Sequence, residues 1–323
     1  MDFLQKHRSE SSAYLQLLIL TGYALAGLIV CSILSFIVVL ITSDHNALSA
    51  LGNLSLDDPS SLNALKIIQI GSSLGLFLLP PIFLALTERR KLSQFYNWKT
   101  PTLSMLGIIF LLMMFSAPLT ELSGIINQKM TLPEALKSLE SWMRDKEEEA
   151  AKMTVALLHV RSTGDFLLNM FMIALLPAVA EELMFRGGIQ RAFSRMFKNP
   201  HAAIWITAFI FSAIHVQFFG FIPRLLLGAL FGYIYVWTKS LWYPMFAHFL
   251  NNGYAVCMAL YFQKHNLPLE QVDETPAFNW MGYTAGLVIT VLLLNYLYKQ
   301  YTRNGKQLDQ GIYDREPDQS GNY

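Results

Sequence analysis

Apolar residues in this chain come in long unbroken runs, without the alternation of a half-buried strand or the narrow stripe of a soluble amphipathic helix. Runs beginning near Tyr14, Ala64, Thr102, Phe166, Ala202, Phe221, Leu241 and Tyr283 are each long enough, at about 20 residues, to cross roughly 30 Å of hydrocarbon as a helix. The pattern predicts an all-α fold: a polytopic integral membrane helix bundle with about eight transmembrane helices. One interval breaks it. From Asn127 to Arg161 acidic and basic residues mix (KSLESWMRDKEEEAAK), with Leu136, Leu139, Trp142 and Met143 at helical spacing. That stretch predicts an amphipathic helical segment or small cap outside the membrane, whose plainest reading is a solvated hairpin with no part in chemistry. The organisation that follows is residues 1–123 as N-terminal transmembrane helices and 124–164 as the charged segment. Residues 165–262 form a membrane core, 263–303 a C-terminal transmembrane helix and 304–323 a polar, disordered tail.

Composition agrees: of 323 residues, 53% are hydrophobic and 15% charged, which excludes an ordinary soluble domain. The first run, from about Ala13 to Thr42, is longer than the roughly 7–15-residue core of a signal peptide, so it is expected to stay as an anchor. Cys31 and Cys257 both lie in apolar segments, where thiols behave as small hydrophobes, and imply no disulfide framework. With a net charge of +1 and no basic patch interleaved with aromatics, nucleic acid is not an expected partner. Lys and Arg alternate between loops. Lys6 and Arg8, then Arg89, Arg90, Lys91 and Lys99, then Arg191, Arg195 and Lys198, and finally Lys239, Lys299, Arg303 and Lys306 fall on one side, which predicts a multi-pass membrane protein with both termini cytoplasmic.

Against that background Glu181 and Glu182 stand out, because an ionised carboxylate inside an apolar run (FLLNMFMIALLPAVAEELMFRGGIQ) costs several kcal/mol or more unless something pairs with it or uses it. On a helix, Glu182 and Arg186 are one turn apart with the acid N-terminal, the favoured order for an ion pair. At 100° per residue Glu181 points about 140° away from Arg186. Glu182 is therefore the expected partner of Arg186, and Glu181 is left free to act as a general base. Two further apolar segments each carry a histidine: His215 four residues after Phe211, and His248 four residues before Asn252. The His248–Asn252 pair offers an imidazole and an amide to one point, as an oxyanion requires, or equally packs helices together through hydrogen bonds.

The ordered set of EELMFRGG, then Phe211 with His215, then His248 with Asn252 resembles the three signature motifs of the CPBP (Abi) family, which includes the type II CAAX prenyl endopeptidases and bacteriocin-processing or immunity proteins. The resemblance covers about Phe166 to Leu260. It implies an intramembrane endopeptidase acting on a membrane-embedded or lipidated peptide or protein substrate. Carried over by position, it makes Glu181, His215, His248 and Asn252 catalytic: Glu181 with His215 activates water, and His248 with Asn252 holds the oxyanion. Glu182, Arg186 and Phe211 support the site. Glu181, His215 and His248 also form a two-histidine, one-carboxylate zinc set with an open fourth position. No His-Glu-x-x-His helix is present, and the reading taken here is water activation by Glu181 with no cofactor required, zinc remaining an open alternative. By helical rise these groups lie roughly 10–24 Å from a membrane face, so water must reach them through a cavity. Two other readings use the same residues: a non-proteolytic toxin-immunity or binding protein on this scaffold, and a proton-coupled transporter, which the lack of an internal repeat disfavours.

Overall fold

The computed structural model describes residues 10–42, 59–269 and 278–303. It is helical throughout, with no strand among those residues. Six helices are long and apolar enough to cross a membrane: Ala13–Thr42, Ser61–Thr87, Leu103–Gln128, Thr163–Phe197, Phe218–Thr238 and Trp280–Arg303. The expected spans near Ala202 and Leu241 are helices too, with different proportions. Pro200–Ala213 has 14 residues, about 21 Å of rise and short of the hydrocarbon thickness. Trp242–Lys264 has 23 residues, yet it carries His248, Asn251 and Asn252 and so is less apolar than the six. A polytopic α-helical bundle is thus observed, and the chain is a multi-pass membrane protein. The expected disordered tail, 304–323, and residues 43–58 of the first loop lie outside the described residues.

We number the elements that matter here α1 (Ala13–Thr42), α2 (Pro59–Ser73), α3 (Leu79–Thr87), α4 (Leu103–Gln128), α5 (Lys137–Leu158), α6 (Thr163–Asn169), α7 (Leu176–Glu182), α8 (Arg191–Phe197), α9 (Pro200–Ala213), α10 (Phe221–Thr238), α11 (Trp242–Lys264) and α12 (Trp280–Arg303). α6, α7 and α8 are one continuous span joined by two wide π-helical stretches, Met170–Leu175 and Leu183–Gln190. A third, Leu74–Leu78, joins α2 to α3 just before Pro80 and Pro81. Such stretches form where the regular hydrogen-bond ladder is broken, and they recur at functional sites. The span begins at a polar cap, Ser162 accepting the Asp165 N–H. It ends at Lys198 in the left-handed region, after which Asn199 caps α9 with Pro200 at its first position.

Two close approaches fix the frame. α1 crosses the α2–α3 span where Gly27 meets Gly75, and a Cβ on Gly27 would lie 2.2 Å from the Gly75 carbonyl oxygen. Backbone cannot yield as a flexible side chain can, so Gly27→Ala is expected to destabilise the protein by about 1–3 kcal/mol, read as a lower thermal midpoint in detergent; an unchanged midpoint would show that the helices do not cross here. At the other approach, Glu10 takes hydrogen bonds from Arg191 and Gln16, and Ser11 N and Gln16 bond to Glu88. Burial alone would raise the Glu10 carboxyl, but the Arg191 and Arg195 guanidiniums hold it below its ordinary value. The start of α1 and the ends of α3 and α8, which the charge alternation places on one membrane face, are therefore bound together.

The charged helix α5 is not a free hairpin. Its entry is organised by Glu140, which accepts from Leu132 N and from Arg144; these bonds draw its carboxyl below the ordinary value. Its apolar face lies on the turn after α9: Trp142 meets the Phe218 ring at 5.6 Å, Arg144 stacks 4.3 Å over Phe219, and Glu147 accepts the Phe219 N–H. Thr154 and Leu157 near the end of α5 line the cavity between the α6–α8 span and α9, α10 and α11.

Candidate active site

The geometry starts from Arg186, which is fully buried. Its Nε is 3.1 Å from Glu182 Oε2, close enough for an ion pair although not aligned as a hydrogen bond. Its Nη2 donates to the Gly228 carbonyl at 2.9 Å, and its guanidinium lies 5.0 Å from the Phe211 ring and 5.5 Å from Phe231. Gly228 and Gly232 are one turn apart on α10, and both carbonyls are taken by the α6–α8 span, Gly232 by Gln190. A Cβ on Gly232 would sit 2.8 Å from Gln190 Oε1, so the glycines serve close packing.

Glu182 does more than pair with Arg186. Its Oε1 lies 2.9 Å from His248 Nδ1, a contact between α7 and α11 that helical spacing within one segment could not reveal. The His248 ring is stacked on Phe231 at 5.3 Å. Held from both sides, it turns Nε2 toward the free carboxylate of Glu181, 3.9 Å away. Glu182 is thus taken up by Arg186 and His248, and Glu181 faces a cavity of about 340 Å³.

His215, Phe211, Asn252, Asn251 and Arg224 line the same cavity. His215 Nδ1 is 2.8 Å from the Phe211 carbonyl oxygen. A carbonyl only accepts, so Nδ1 carries the hydrogen and a neutral His215 keeps its Nε2 lone pair. Phe211 thus supports the site in three ways, through its carbonyl, its cation–π contact with Arg186 and edge-on contacts with Phe185 and His215. The imidazole nearest Glu181 is that of His248, which was expected on the oxyanion side, whereas no direct contact joins Glu181 to His215 in the described geometry.

Asn252 makes the helix-packing hydrogen bond that was one of the two expectations for the His248–Asn252 pair. Its amide donates to the Ile173 carbonyl at 3.0 Å, and its oxygen accepts from Asn251. The reason is readable backward: Pro177 has no N–H to give the carbonyl four residues earlier, and in hydrocarbon such a carbonyl needs another donor. Asn252 supplies it, tying α11 to the Met170–Leu175 stretch, while its second amide hydrogen and one on Asn251 remain for a ligand. Asn251 and Arg224 were not anticipated, because neither belongs to a motif, although Asn251 stands three residues after His248 on the same helix.

Glu181, His215 and His248 share the cavity. Yet among the described residues no three His, Cys, Asp or Glu side chains converge closely enough to hold a metal ion. The Glu182 and Phe211 carbonyl contacts at the two Nδ1 atoms leave each Nε2 as the available ligand atom, but these groups do not form a metal-holding cluster. The zinc set does not fit this arrangement, and no step below passes through it.

Residues 163–254 match the family model for type II CAAX prenyl endopeptidase Rce1-like proteins. A 93-residue stretch is 32% identical to the uncharacterized protein YpbD of Bacillus subtilis (strain 168), over 28% of this chain and 44% of that protein. The chain thus spans less than half the length of that relative. No solved structure gives a significant match. Over residues 163–254, which supply most of the cavity lining, the motif resemblance to the CPBP family is accordingly shown by the Rce1-like match.

Proposed function

We propose that this chain is an intramembrane endopeptidase that hydrolyses a peptide bond of a membrane-associated or lipidated substrate, with no covalent enzyme intermediate. The family match supports a protease of the CAAX type, and the observation that carries the reading is the free carboxylate of Glu181. It faces a cavity inside a span, with His248 Nε2 beside it and His215 Nε2 on the same wall. Water in the cavity gives a proton to Glu181 as its oxygen attacks the peptide carbonyl carbon, with His215 Nε2 accepting a hydrogen bond that orients it. The carbonyl oxygen gains negative charge and is met by the spare amide hydrogens of Asn251 and Asn252 and, with Nδ1–H given to Glu182, by Nε2–H of His248 in its imidazolium form. The C–N bond then breaks as the proton on Glu181 passes to the leaving nitrogen, which regenerates the carboxylate. Glu182, anchored by Arg186, fixes the ring of His248, and in this reading both termini are cytoplasmic, which the charge alternation supports.

The test is cleavage of a membrane-anchored reporter peptide library by purified protein in liposomes. Wild type is expected to cut, with or without chelator, and His215→Ala to cut about 10²–10⁴-fold more slowly, the range for a positioned acid–base group. No cleavage by folded wild type would favour the immunity or binding reading, and loss of cleavage on chelation would restore zinc.

A further inference from the structure

Arg224 has no part in the mechanism above, although it lines the same cavity as Glu181. It stands in the first turn of α10, where the partial positive charge of a helix N-terminus disfavours a cation. Its guanidinium is nonetheless held there. Nη1 donates to the Gln217 carbonyl at 3.2 Å and Nη2 to Gln217 Oε1 at 2.5 Å. Gly220 makes room for it, since a Cβ there would lie 2.7 Å from Nη2. Both contacts are neutral. No carboxylate lies within ion-pair distance of it among the described residues, whereas Arg144, Arg186, Arg191 and Arg195 each have one. Two of five N–H groups are used, so three remain for a ligand. A partly buried guanidinium whose nearest carboxylates, Glu147 and Glu181, act on it only from beyond ion-pair distance, beside a helix N-terminus that also favours anions, leaves room for a carboxylate in direct contact.

We infer that Arg224 is a specificity-determining residue that binds a carboxylate of the peptide occupying this cavity. The inference deepens the proteolytic reading and rests on it for the identity of the ligand as a peptide. The carboxylate has two sources, the peptide's C-terminal α-carboxylate or an Asp or Glu side chain, and both present the planar pair of oxygens that guanidinium recognises. Gln217 acts as the bracket that points the fork into the cavity.

The experiment measures binding of N-palmitoylated decapeptide libraries to the protein in nanodiscs, in a His215→Ala background that keeps the charge of Glu181. Four libraries are compared: free acid or C-terminal amide, each with or without internal Asp and Glu. One carboxylate-bearing arm is expected to bind about tenfold or more tightly than the neutral library, as a charged hydrogen-bonded pair warrants. The arm that does so identifies the source. Arg224→Gln is expected to erase that preference and Arg224→Lys to keep part of it. Equal binding of neutral and carboxylate-bearing libraries, no binding of any, or a preference that survives in Arg224→Gln overturns the proposal; the first comparison needs no variant at Arg224. Wild-type turnover of the same peptides is read in parallel. A carboxylate preference without turnover sinks the protease reading alone, and turnover without a preference sinks this one alone.

Discussion

Glu181→Gln is expected to lower reporter cleavage by about 10²–10⁴-fold, the contribution of a positioned general base, while leaving the thermal midpoint close to that of wild type. The two halves of this result come from one geometry. Glu181 has no ion-pair partner closer than His248 Nε2 at 3.9 Å among the described residues, so an amide in its place gives up only that long contact, yet it cannot take a proton from water. A purely structural carboxylate would behave in the opposite way, with stability lost and turnover falling only as folded protein is lost. Melting and cleavage measured on one preparation separate the two.

Arg186→Met is expected to be the most destabilising single change, at about 3–5 kcal/mol, because it strands the fully buried Glu182 without its counter-charge. It also removes the hydrogen bond to Gly228 that ties α10 to the α6–α8 span. The double variant Glu182→Met/Arg186→Met is expected to recover much of that stability, since replacing both members of a buried pair by apolar groups is often neutral. It should not recover activity. Without Glu182 the ring of His248 loses the contact at Nδ1 that turns Nε2 toward Glu181. A double variant that is both stable and fully active would show that this pair does not orient the site. Thermal midpoints and cleavage rates of the three proteins together test the point.

Much of this was legible in the sequence because it is local. Long apolar runs give membrane helices, and the four-residue spacing of Glu182 and Arg186 gives their ion pair. The same spacing gives the bond from His215 to the carbonyl of Phe211. What could not be read is what crosses between helices. The contact between Glu182 and His248 joins residues 66 positions apart, and the one between Asn252 and Ile173 joins residues 79 apart. Pro177 did leave a trace, since a proline within a span announces an orphaned carbonyl four residues earlier; only the fold says which side chain answers it. The eight expected segments are all helices, but they are unequal for a related reason. α11 carries its polar site residues within the hydrophobic run, so the chemistry itself lowers the apolar signal. α5 hid its role because its charges describe the solvent face. The face that counts is the one laid on Phe218 and Phe219, with Thr154 and Leu157 reaching the cavity wall.

The central claim, that this cavity hydrolyses peptide bonds, is tested most directly by mass spectrometry of the products formed when purified wild type and Glu181→Gln act on one membrane-anchored reporter library in liposomes. The account predicts defined new termini at or within the membrane-embedded part of the reporters from wild type, and intact reporters from Glu181→Gln at equal melting temperature. Intact reporters from folded wild type, or the same products at the same rate from both proteins, would contradict it.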